Sequence, residues 1–237
     1  MRYSKIKSYA KINLALNVVG KTLSLHKIES IVAFVDLHDI ILIKKIKSKK
    51  HIVSFSGKFS DNIIKKNTVF RLLEILDKQN LLNNKKFKIK IIKNVPNQAG
   101  LGGGSMNAAT ILKYFIKKKI VQTTKKNIIK ISKLIGSDVI LGLNITNSIL
   151  TSTNKIKLFR NCKIFYVLIV KPNIGCSTKE IYAKVKRFNK PKIKQPIKKM
   201  FDLNYLKKMD NSLEKIALLK YPNIRHIKFY LENLSKT

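Results

Sequence analysis

The stretch from Pro96 to Ala109 constrains this chain most, because four of its nine glycines lie there, just before a segment with helical periodicity. Glycine allows positive φ and lacks the Cβ that would hold a ligand away, so successive backbone amides can converge on one anion. The predicted helix adds unpaired amides and the positive end of its dipole. Upstream, residues 87–93 alternate apolar and polar side chains, which is typical of a half-buried strand. The pattern predicts a phosphate-binding loop at a strand-to-helix turn, and the alternative is a flexible glycine turn.

The loop differs from the two commonest nucleotide-binding loops. No Gly-Lys-Ser/Thr closes it, so the lysine that reaches the terminal phosphates in that motif is missing. A dinucleotide fingerprint needs an acidic residue about twenty positions further on, whereas residues 122–126 are polar and basic. The predicted phosphate site therefore belongs to neither class.

Composition sets broad limits on the fold. A chain of 237 residues can bury a core in one domain or in two small ones. Cys162 and Cys176 are too few for a disulfide scaffold or a thiolate metal site, so we expect two packed thiols in a reducing compartment. The longest apolar run, residues 164–170, has the length of a buried strand and not of a membrane span. No membrane partner is expected.

The charge is strongly positive. Fifty lysines and arginines stand against twelve acidic residues, for a formal net charge of +38. Such a charge favours non-specific binding to nucleic acid at low salt. A nucleic-acid interface usually gathers its basic residues on one face and interleaves them with aromatic residues. Here the lysines are instead scattered through almost every segment, without interleaved aromatic residues. Nucleic-acid binding stays an alternative function, and we expect a solvated lysine-rich surface.

Periodicity predicts strands first and then mixed strands and helices, which indicates the α+β class. Asn67 is the predicted N-cap of the first helix, and Gly136 ends the third. Residues from Ser177 onward are predicted to be helical or loop. The predicted strands cover residues 6–19, 30–46, 51–55, 87–93, 148–158 and 163–170, and the predicted helices cover 67–82, 105–119 and 124–135.

Three segments in this order resemble the GHMP small-molecule kinase superfamily: Ser8–Leu14, Pro96–Ala109 and Gly136–Val139. Weaker similarity follows the same order, in residues 34–39, 67–69, 171–172, 177–182, 211–214 and 221–222. The resemblance implies a two-domain α+β kinase fold with the active site between the domains. It implies an N-terminal domain over residues 1–145 and a C-terminal domain over residues 146–237.

The resemblance also implies the chemistry. ATP would bind the glycine loop, Asp138 would accept the proton of the substrate hydroxyl, and Lys11 would lie beside it. Mg²⁺ is expected with ATP, with Ser105 as a contact and no dedicated cluster of protein ligands. Taken singly, Lys11 has the alternative of an exposed lysine, and Asp138 that of a turn residue or N-cap. The implied ATP-binding residues are Pro96, Asn97, Gln98, Ala99, Gly100, Leu101, Gly102, Gly103, Gly104, Ser105 and Met106.

Within the superfamily, the similarity is strongest to members that phosphorylate a cytidine-linked alcohol. Asn13 shares a strand face with Lys11 and is a candidate substrate contact, with an edge hydrogen bond as the alternative. His26 and Tyr182 fall where such members bind the cytosine ring, by hydrogen bonding and by stacking. The alternatives are a surface histidine in a loop and a core aromatic residue.

The chain also departs from the family pattern. Leu25 replaces an aromatic residue that would cover the cytosine, and Met106 replaces a serine near the phosphates. Ile140 replaces a proline, residues 151–155 replace a Gly-x-Gly-Glu segment, and Ser212 stands where an acidic residue is common. The chain ends at Thr237, before the third glycine-rich family motif, so the resemblance implies an incomplete second domain.

Four functions therefore stay open: a kinase for a cytidine-linked alcohol, another GHMP small-molecule kinase, a catalytically impaired remnant, and a basic nucleic-acid-binding protein. The first is favoured, because Lys11, Asp138 and the glycine loop are all present. No Ser/Arg-rich transit segment precedes the first strand, which favours a bacterial cytoplasm. No oligomeric state is predicted.

Overall fold

The computed structural model describes residues 2–22, 26–61, 63 and 67–234, and its mixture of strands and helices confirms the α+β class. Internal contacts divide the chain into two compact units. The first unit contains the residues up to Lys11, Phe34–Asn97 and Leu101–Ile145, and the second contains Ile12–Ala33, Gln98–Gly100 and the residues from Thr146 onward. Each unit is discontinuous in sequence. The division into domains at residue 145 stays a prediction.

Two long paired strands begin the fold. β1 is Ser4–Lys21 and β2 is His26–Ile46, and each contributes residues to both units. Both strands were predicted, but the loop expected over residues 20–29 is shorter because β1 continues to Lys21 and β2 begins at His26. Thus His26 lies at the start of a strand and not within a loop.

The sheet of the first unit adds two strands, β3 (Ile52–Ser56) and β4 (Lys86–Ile92). β2 pairs antiparallel with β4, with Ile40 opposite Ile92, and β3 pairs parallel with β4. Phe87, Ile89 and Ile91 are buried, as the alternating pattern predicted. The glycine loop therefore begins at the end of a well-anchored strand.

The described residues of this unit form the helices α1 (Thr68–Lys78), α2 (Gly103–Lys117), α3 (Lys125–Ile135) and the short α4 (Val139–Gly142). The side chain of Asn67 accepts hydrogen bonds from two amides of the first turn of α1, which confirms it as the N-cap. Gly136 ends α3, as predicted. The helices and the sheet enclose one apolar core that includes Ile41, Ile43, Leu72, Leu76, Ile89, Ile91, Ile111, Leu112, Phe115 and Ile131.

In the second unit, the same sheet continues from β2 to β5 (Asn147–Leu150) and then to β6 (Ile156–Phe159). Ser30 lies opposite Leu150, and β5 pairs antiparallel with β6. The single strand predicted over residues 148–158 is wrong, because a turn that contains Asn154 at φ 60° reverses the chain there.

After β6, long stretches without helix or strand alternate with helices. The helices described there are α5 (Thr178–Ala183), a 3₁₀ helix (Lys198–Phe201), α6 (Leu203–Leu206), α7 (Glu214–Lys220) and α8 (Pro222–Leu234). The core of the second unit is smaller than that of the first unit and is formed by Ala15, Ile31, Ile149, Ile193, Met200 and Phe201.

The strand predicted over residues 163–170 is also wrong. These residues form no strand, and Ile164, Tyr166 and Leu168 are 90%, 102% and 81% exposed. An apolar run becomes a buried strand only when a neighbouring strand pairs with its backbone and another layer covers it. Within the described part of the chain, no backbone hydrogen bond joins residues 163–170 to another segment.

Neither cysteine forms a disulfide, and both Cys162 and Cys176 are half-buried. Burial raises the pKa of the Cys176 thiol, an effect that the nearby Lys220 opposes. No helix in the described ranges is both long enough and apolar enough to span a bilayer.

Candidate functional site: the glycine loop and its ion pair

The glycine loop leaves β4 and enters α2 through alternating backbone conformations. Gln98, Gly100 and Gly102 have φ values of 51°, 71° and 68°. Left-handed residues at every second position allow neighbouring N–H groups to turn toward one side, as in the concavities that bind anions. Gln98 and Gly100 are exposed, so this part of the loop is accessible.

Helix α2 begins without a side-chain cap. Its N-cap is Gly102, which has no side chain to accept from the first amides, and the first helical hydrogen bond runs from Met106 N to Gly102 O, at 2.9 Å. The first turn therefore presents amide donors and the positive end of the helix dipole. These are the features that stabilise a bound phosphate at a helix N-terminus.

The side chain of Met106 makes no such contribution. Met106 is 2% exposed, and its sulfur lies 2.9 Å from the position that a Cβ on Gly142 would occupy. The same Cβ would lie 2.7 Å from Cβ of Ala109, so α2 and α4 pack too closely for any side chain at Gly142. Of the predicted ATP-binding residues, Met106 can therefore contribute only its backbone.

Lys11 lies directly against the loop. Its backbone N–H donates to Leu101 O at 3.1 Å, and a Cβ on Gly102 would lie 3.0 Å from both Cγ and Cε of the Lys11 side chain. Two features therefore favour glycine at position 102: the backbone has a positive φ, and the Lys11 side chain occupies the space that a Cβ would need. Lys11 is 4% exposed, which is the opposite of the exposed lysine that an isolated strand position suggests.

Lys11 and Asp138 form an ion pair. The Lys11 ammonium lies 3.1 Å from Oδ2 of Asp138, and the two side chains are 6% and 30% exposed. Asp138 occupies the N-cap position of α4, but its side chain makes no capping hydrogen bond there. The carboxylate instead faces the lysine and keeps part of its surface open to a ligand.

Ser105 lies on the same side of the first unit as this pair. Its hydroxyl is 3.7 Å from the position of a Cβ on Gly136, which is two residues before Asp138. The Thr68 hydroxyl donates to Gly104 O at 2.6 Å and joins α1 to the first turn of α2. Gly102, Lys11, Asp138 and Ser105 thus all belong to the first compact unit.

The predicted substrate residues His26 and Tyr182 come together within the second unit. Their ring centroids are 5.1 Å apart, and Phe188 lies 6.3 Å from His26. Burial, and to a lesser extent the charge of Lys21, lowers the pKa of His26. A neutral imidazole has one donor and one acceptor, which suits the edge of a nucleobase. Leu25, which replaces an aromatic residue of the family pattern next to His26, lies outside the described residues.

Asn13, the remaining predicted substrate contact, is half-buried in β1, two positions after Lys11.

Phe188 is an aromatic neighbour of His26 that the sequence analysis missed. It lies beyond the end of α5 in a segment without helix or strand, so no periodic pattern marked it. Its aromatic character was the only available signal.

Comparisons with known proteins find similarity to GHMP kinases. The family described as "GHMP kinases N terminal domain" matches residues 64–150, which include the glycine loop and Asp138. The 4-diphosphocytidyl-2-C-methyl-D-erythritol kinase of Pelagibacter ubique is 55% identical over 237 residues, which cover 100% of this chain and 84% of that protein. The protein of the same name from Clostridium botulinum is 34% identical over 94% of this chain and 81% of its own length.

The fold has a counterpart among solved structures. A crystal structure of 4-(cytidine 5'-diphospho)-2C-methyl-D-erythritol kinase superposes with a TM-score of 0.69 and 20% identity, over 98% of this chain and 84% of that one. At that identity the superposition shows a shared fold, in agreement with the predicted α+β kinase architecture.

Proposed function

The chain belongs to the 4-diphosphocytidyl-2-C-methyl-D-erythritol kinase family of GHMP kinases, and from that premise we propose the reaction that its residues carry out. It is an ATP-dependent small-molecule kinase. The proposed reaction transfers the γ-phosphoryl group of ATP to the 2-hydroxyl of 4-diphosphocytidyl-2-C-methyl-D-erythritol, a step in isoprenoid precursor synthesis.

The observation that carries the proposal is the ion pair between Lys11 and Asp138 beside Gly102. Phosphoryl transfer depends mainly on positioning and on stabilisation of charge, because little covalent chemistry falls to the protein. Asp138 accepts the proton of the attacking hydroxyl as general base. Lys11 orients that carboxylate and stabilises the charge that develops on the reacting oxygens.

The glycine loop binds the triphosphate of ATP in this proposal. Its backbone amides donate to phosphate oxygens, and the uncapped first turn of α2 adds its dipole. Gly103 and Gly104 allow close approach because they lack side chains. The remaining predicted residues from Pro96 to Ser105 shape the loop around the phosphates.

Mg²⁺ is proposed as the partner of ATP. Among the described residues, no three histidine, cysteine or acidic side chains lie together as a metal cluster. In the proposal, phosphate oxygens and water therefore supply most of the Mg²⁺ ligands, and the Ser105 hydroxyl is the protein contact. When bound, the cation neutralises phosphate charge during transfer.

The cytidine part of the substrate is proposed to bind the aromatic group formed by His26, Tyr182 and Phe188. Tyr182 stacks on the base and His26 hydrogen-bonds its edge, while Phe188 supplies aromatic surface in a chain that has Leu25 in place of the family's aromatic residue. Asn13 is the further proposed substrate contact. The proposed location is the bacterial cytoplasm.

A coupled assay for ADP release tests the function. The wild-type protein is expected to consume ATP only when 4-diphosphocytidyl-2-C-methyl-D-erythritol is present, and the phosphorylated product is identified by mass spectrometry. Turnover of galactose, homoserine or mevalonate instead would replace the substrate assignment and keep the kinase. ATP binding without turnover of any of them would indicate an impaired remnant.

One observation favours a secondary, non-specific activity. The net charge of +38 predicts binding to polynucleotides that weakens steeply with salt. A filter-binding titration at two salt concentrations measures it. Independence from sequence, and from substitutions in the glycine loop, is the expected result.

A further inference from the structure

A buried carboxylate in β2 is bonded on both of its oxygens. Asp39 is 0% exposed, and its Oδ1 accepts hydrogen bonds from the backbone amides of Asn94 and Val95, both at 2.8 Å. Its Oδ2 accepts from Nδ2 of Asn107 at 2.9 Å and pairs with the ammonium of Lys93. Four donors on one carboxylate exceed what a lone structural ion pair needs.

These donors lie on both sides of the glycine loop. Asn94 and Val95 immediately precede Pro96, where the loop begins, and Asn107 lies in the second turn of α2, just after the loop ends. One side chain therefore fixes both ends of the loop to the same strand. All of these residues belong to the first compact unit.

Lys93 extends the same arrangement. Its side chain is 3% exposed, and its ammonium lies 3.2 Å from the position of a Cβ on Gly103. An unpaired buried ammonium is strongly unfavourable, so the carboxylate of Asp39 is what allows Lys93 to pack against the first residue of α2. The spacing between the strand and the helix thus depends on this pair.

Asn107 shows that the cluster is not built for stability alone. Its Nδ2 donates to Asp39, but its Oδ1 is buried without a hydrogen-bond partner in the described part of the chain. A buried unpaired amide oxygen has a free-energy cost. An apolar side chain would avoid that cost and would lose the tether between α2 and Asp39.

We propose that Asp39 is a positioning residue for nucleotide binding, which holds the amides of the glycine loop at the spacing that phosphate requires. It acts through the loop ends and through Lys93 and Asn107, and it does not contact the nucleotide. The proposal rests on the proposed function only in that this loop binds ATP. It adds to the loop a residue that lies more than fifty positions away in the sequence.

The variant Asp39→Asn tests the proposal with almost no change of shape. The asparagine oxygen can still accept from Asn94 and Val95, but its NH₂ group then faces the donors of Lys93 and Asn107. We expect the Kd for Mg·ATP by calorimetry, and the KM for ATP, to rise about tenfold, as the loss of charged hydrogen bonds predicts. The KM for the alcohol substrate is expected to stay within about twofold.

Asp36→Asn is the matched control. Asp36 lies on the same strand, its side chain is 93% exposed, and the substitution makes the same change of charge. Its nucleotide affinity should equal that of the wild type. Equal affinity of Asp39→Asn and Asp36→Asn for Mg·ATP would overturn the proposal, as would an equal rise of both KM values.

A second variant decides the matter if Asp39→Asn does not fold. Asn107→Ala removes one tether and the unpaired oxygen but keeps the pair of Asp39 and Lys93. Weaker Mg·ATP binding with an unchanged melting temperature supports positioning, and unchanged binding rejects it. If the wild type binds ATP but does not phosphorylate the cytidine substrate, the proposed function fails while these affinities still test Asp39. A wild type that binds no ATP contradicts both.

Discussion

The ammonium of Lys11 lies 3.1 Å from Oδ2 of Asp138. Lys11 lies in β1, whereas Asp138 immediately precedes α4. The lysine side chain is almost fully buried, while nearly a third of the aspartate side chain is exposed. The pair is therefore asymmetric. The lysine is held by the fold and the carboxylate stays accessible, which is what a general base for an incoming hydroxyl requires.

Asp138→Asn is expected to lower kcat by about 10² to 10⁴, because the amide cannot accept the hydroxyl proton. Its shape is almost unchanged, so the Kd for Mg·ATP should stay close to that of the wild type. Single-turnover kinetics measure the first effect and calorimetry the second. Wild-type kcat in Asp138→Asn would remove the aspartate from the mechanism.

Lys11→Met tests whether the two residues act as a unit. Alone it should lower kcat by a factor similar to that of Asp138→Asn, since the carboxylate loses the group that orients it. The double variant should be little worse than either single variant, because the effects of groups that act together are not additive. Multiplicative losses in this cycle would mean that the two side chains act independently.

Gly102→Ala should impair both ATP binding and catalysis. The alanine must adopt φ near 68°, and its Cβ would lie 3.0 Å from the Lys11 stem. Gly100→Ala is the matched comparison, because its φ is 71° but nothing lies within 4 Å of the new Cβ. Both variants carry the backbone strain, so the larger loss of kcat in Gly102→Ala measures the displacement of Lys11. Equal losses of kcat would show that this contact has no influence.

Tyr182→Ala should raise the KM for the cytidine substrate by about 5-fold to 150-fold, the range that loss of one base-stacking contact predicts. The KM for ATP should not change. Phe188→Ala should show the same selectivity with a smaller effect, because its ring lies further from His26 than that of Tyr182. Steady-state kinetics with each substrate varied in turn give both values. An effect on the KM for ATP alone would contradict the assignment.

The stability of the first unit should depend on His51. Its Nδ1 accepts from the backbone amide of Phe87 at 3.1 Å, so in the neutral ring the proton is on Nε2, which donates to Asp77 at 3.2 Å. Burial lowers the pKa of His51 below 6.5, although Asp77 acts in the opposite direction. The unfolded chain therefore binds the proton more readily than the folded chain.

This difference fixes the sign of the pH dependence. The contribution of neutral His51 is fully present above pH 6.5 and is lost as the pH falls from 6.5 through the lower folded pKa. The slope from this one group is at most about 1.4 kcal/mol per pH unit. His51→Gln should reduce the slope of the unfolding free energy in that window, as measured by urea denaturation. An unchanged slope would exclude His51 as its source.

The glycine loop and its flanking elements were predictable because local rules determine them. The alternation of residues 87–93, the capping side chain of Asn67 and the helix stop at Gly136 are each decided within a few residues, and each is confirmed. Boundaries were less accurate. Helix α2 begins at Gly103, two residues earlier than predicted, because glycines with low helix propensity still form the first turn.

The contacts of the site could not be read from the sequence in the same way. A lysine at position 11 is exposed by default among fifty basic residues, and only tertiary packing buries it against Gly102. Asp39 formed part of a weakly matching segment, but its four donors lie more than fifty positions away. The roles of Lys11 and Asp138 in catalysis stay predictions.

Residues 164–170 differ most from what their sequence predicts. Seven apolar residues in succession predict a buried strand, yet Ile164, Tyr166 and Leu168 are exposed and the backbone has no ladder partner among the described residues. An exposed apolar segment whose backbone is unpaired can pair with another chain and so promotes self-association.

Leu168→Lys should therefore reduce self-association of the protein at high concentration, as measured by light scattering, without lowering its melting temperature. The leucine is 81% exposed, so its replacement removes little buried surface. Leu219→Lys is the matched control, since Leu219 is also 80% exposed but lies within the helix α7 and not in an extended segment with an unpaired backbone. If the two lysine variants reduce scattering equally, added charge and not the unpaired apolar segment is responsible. A large fall in the melting temperature of Leu168→Lys alone would instead mean that the segment is buried in solution.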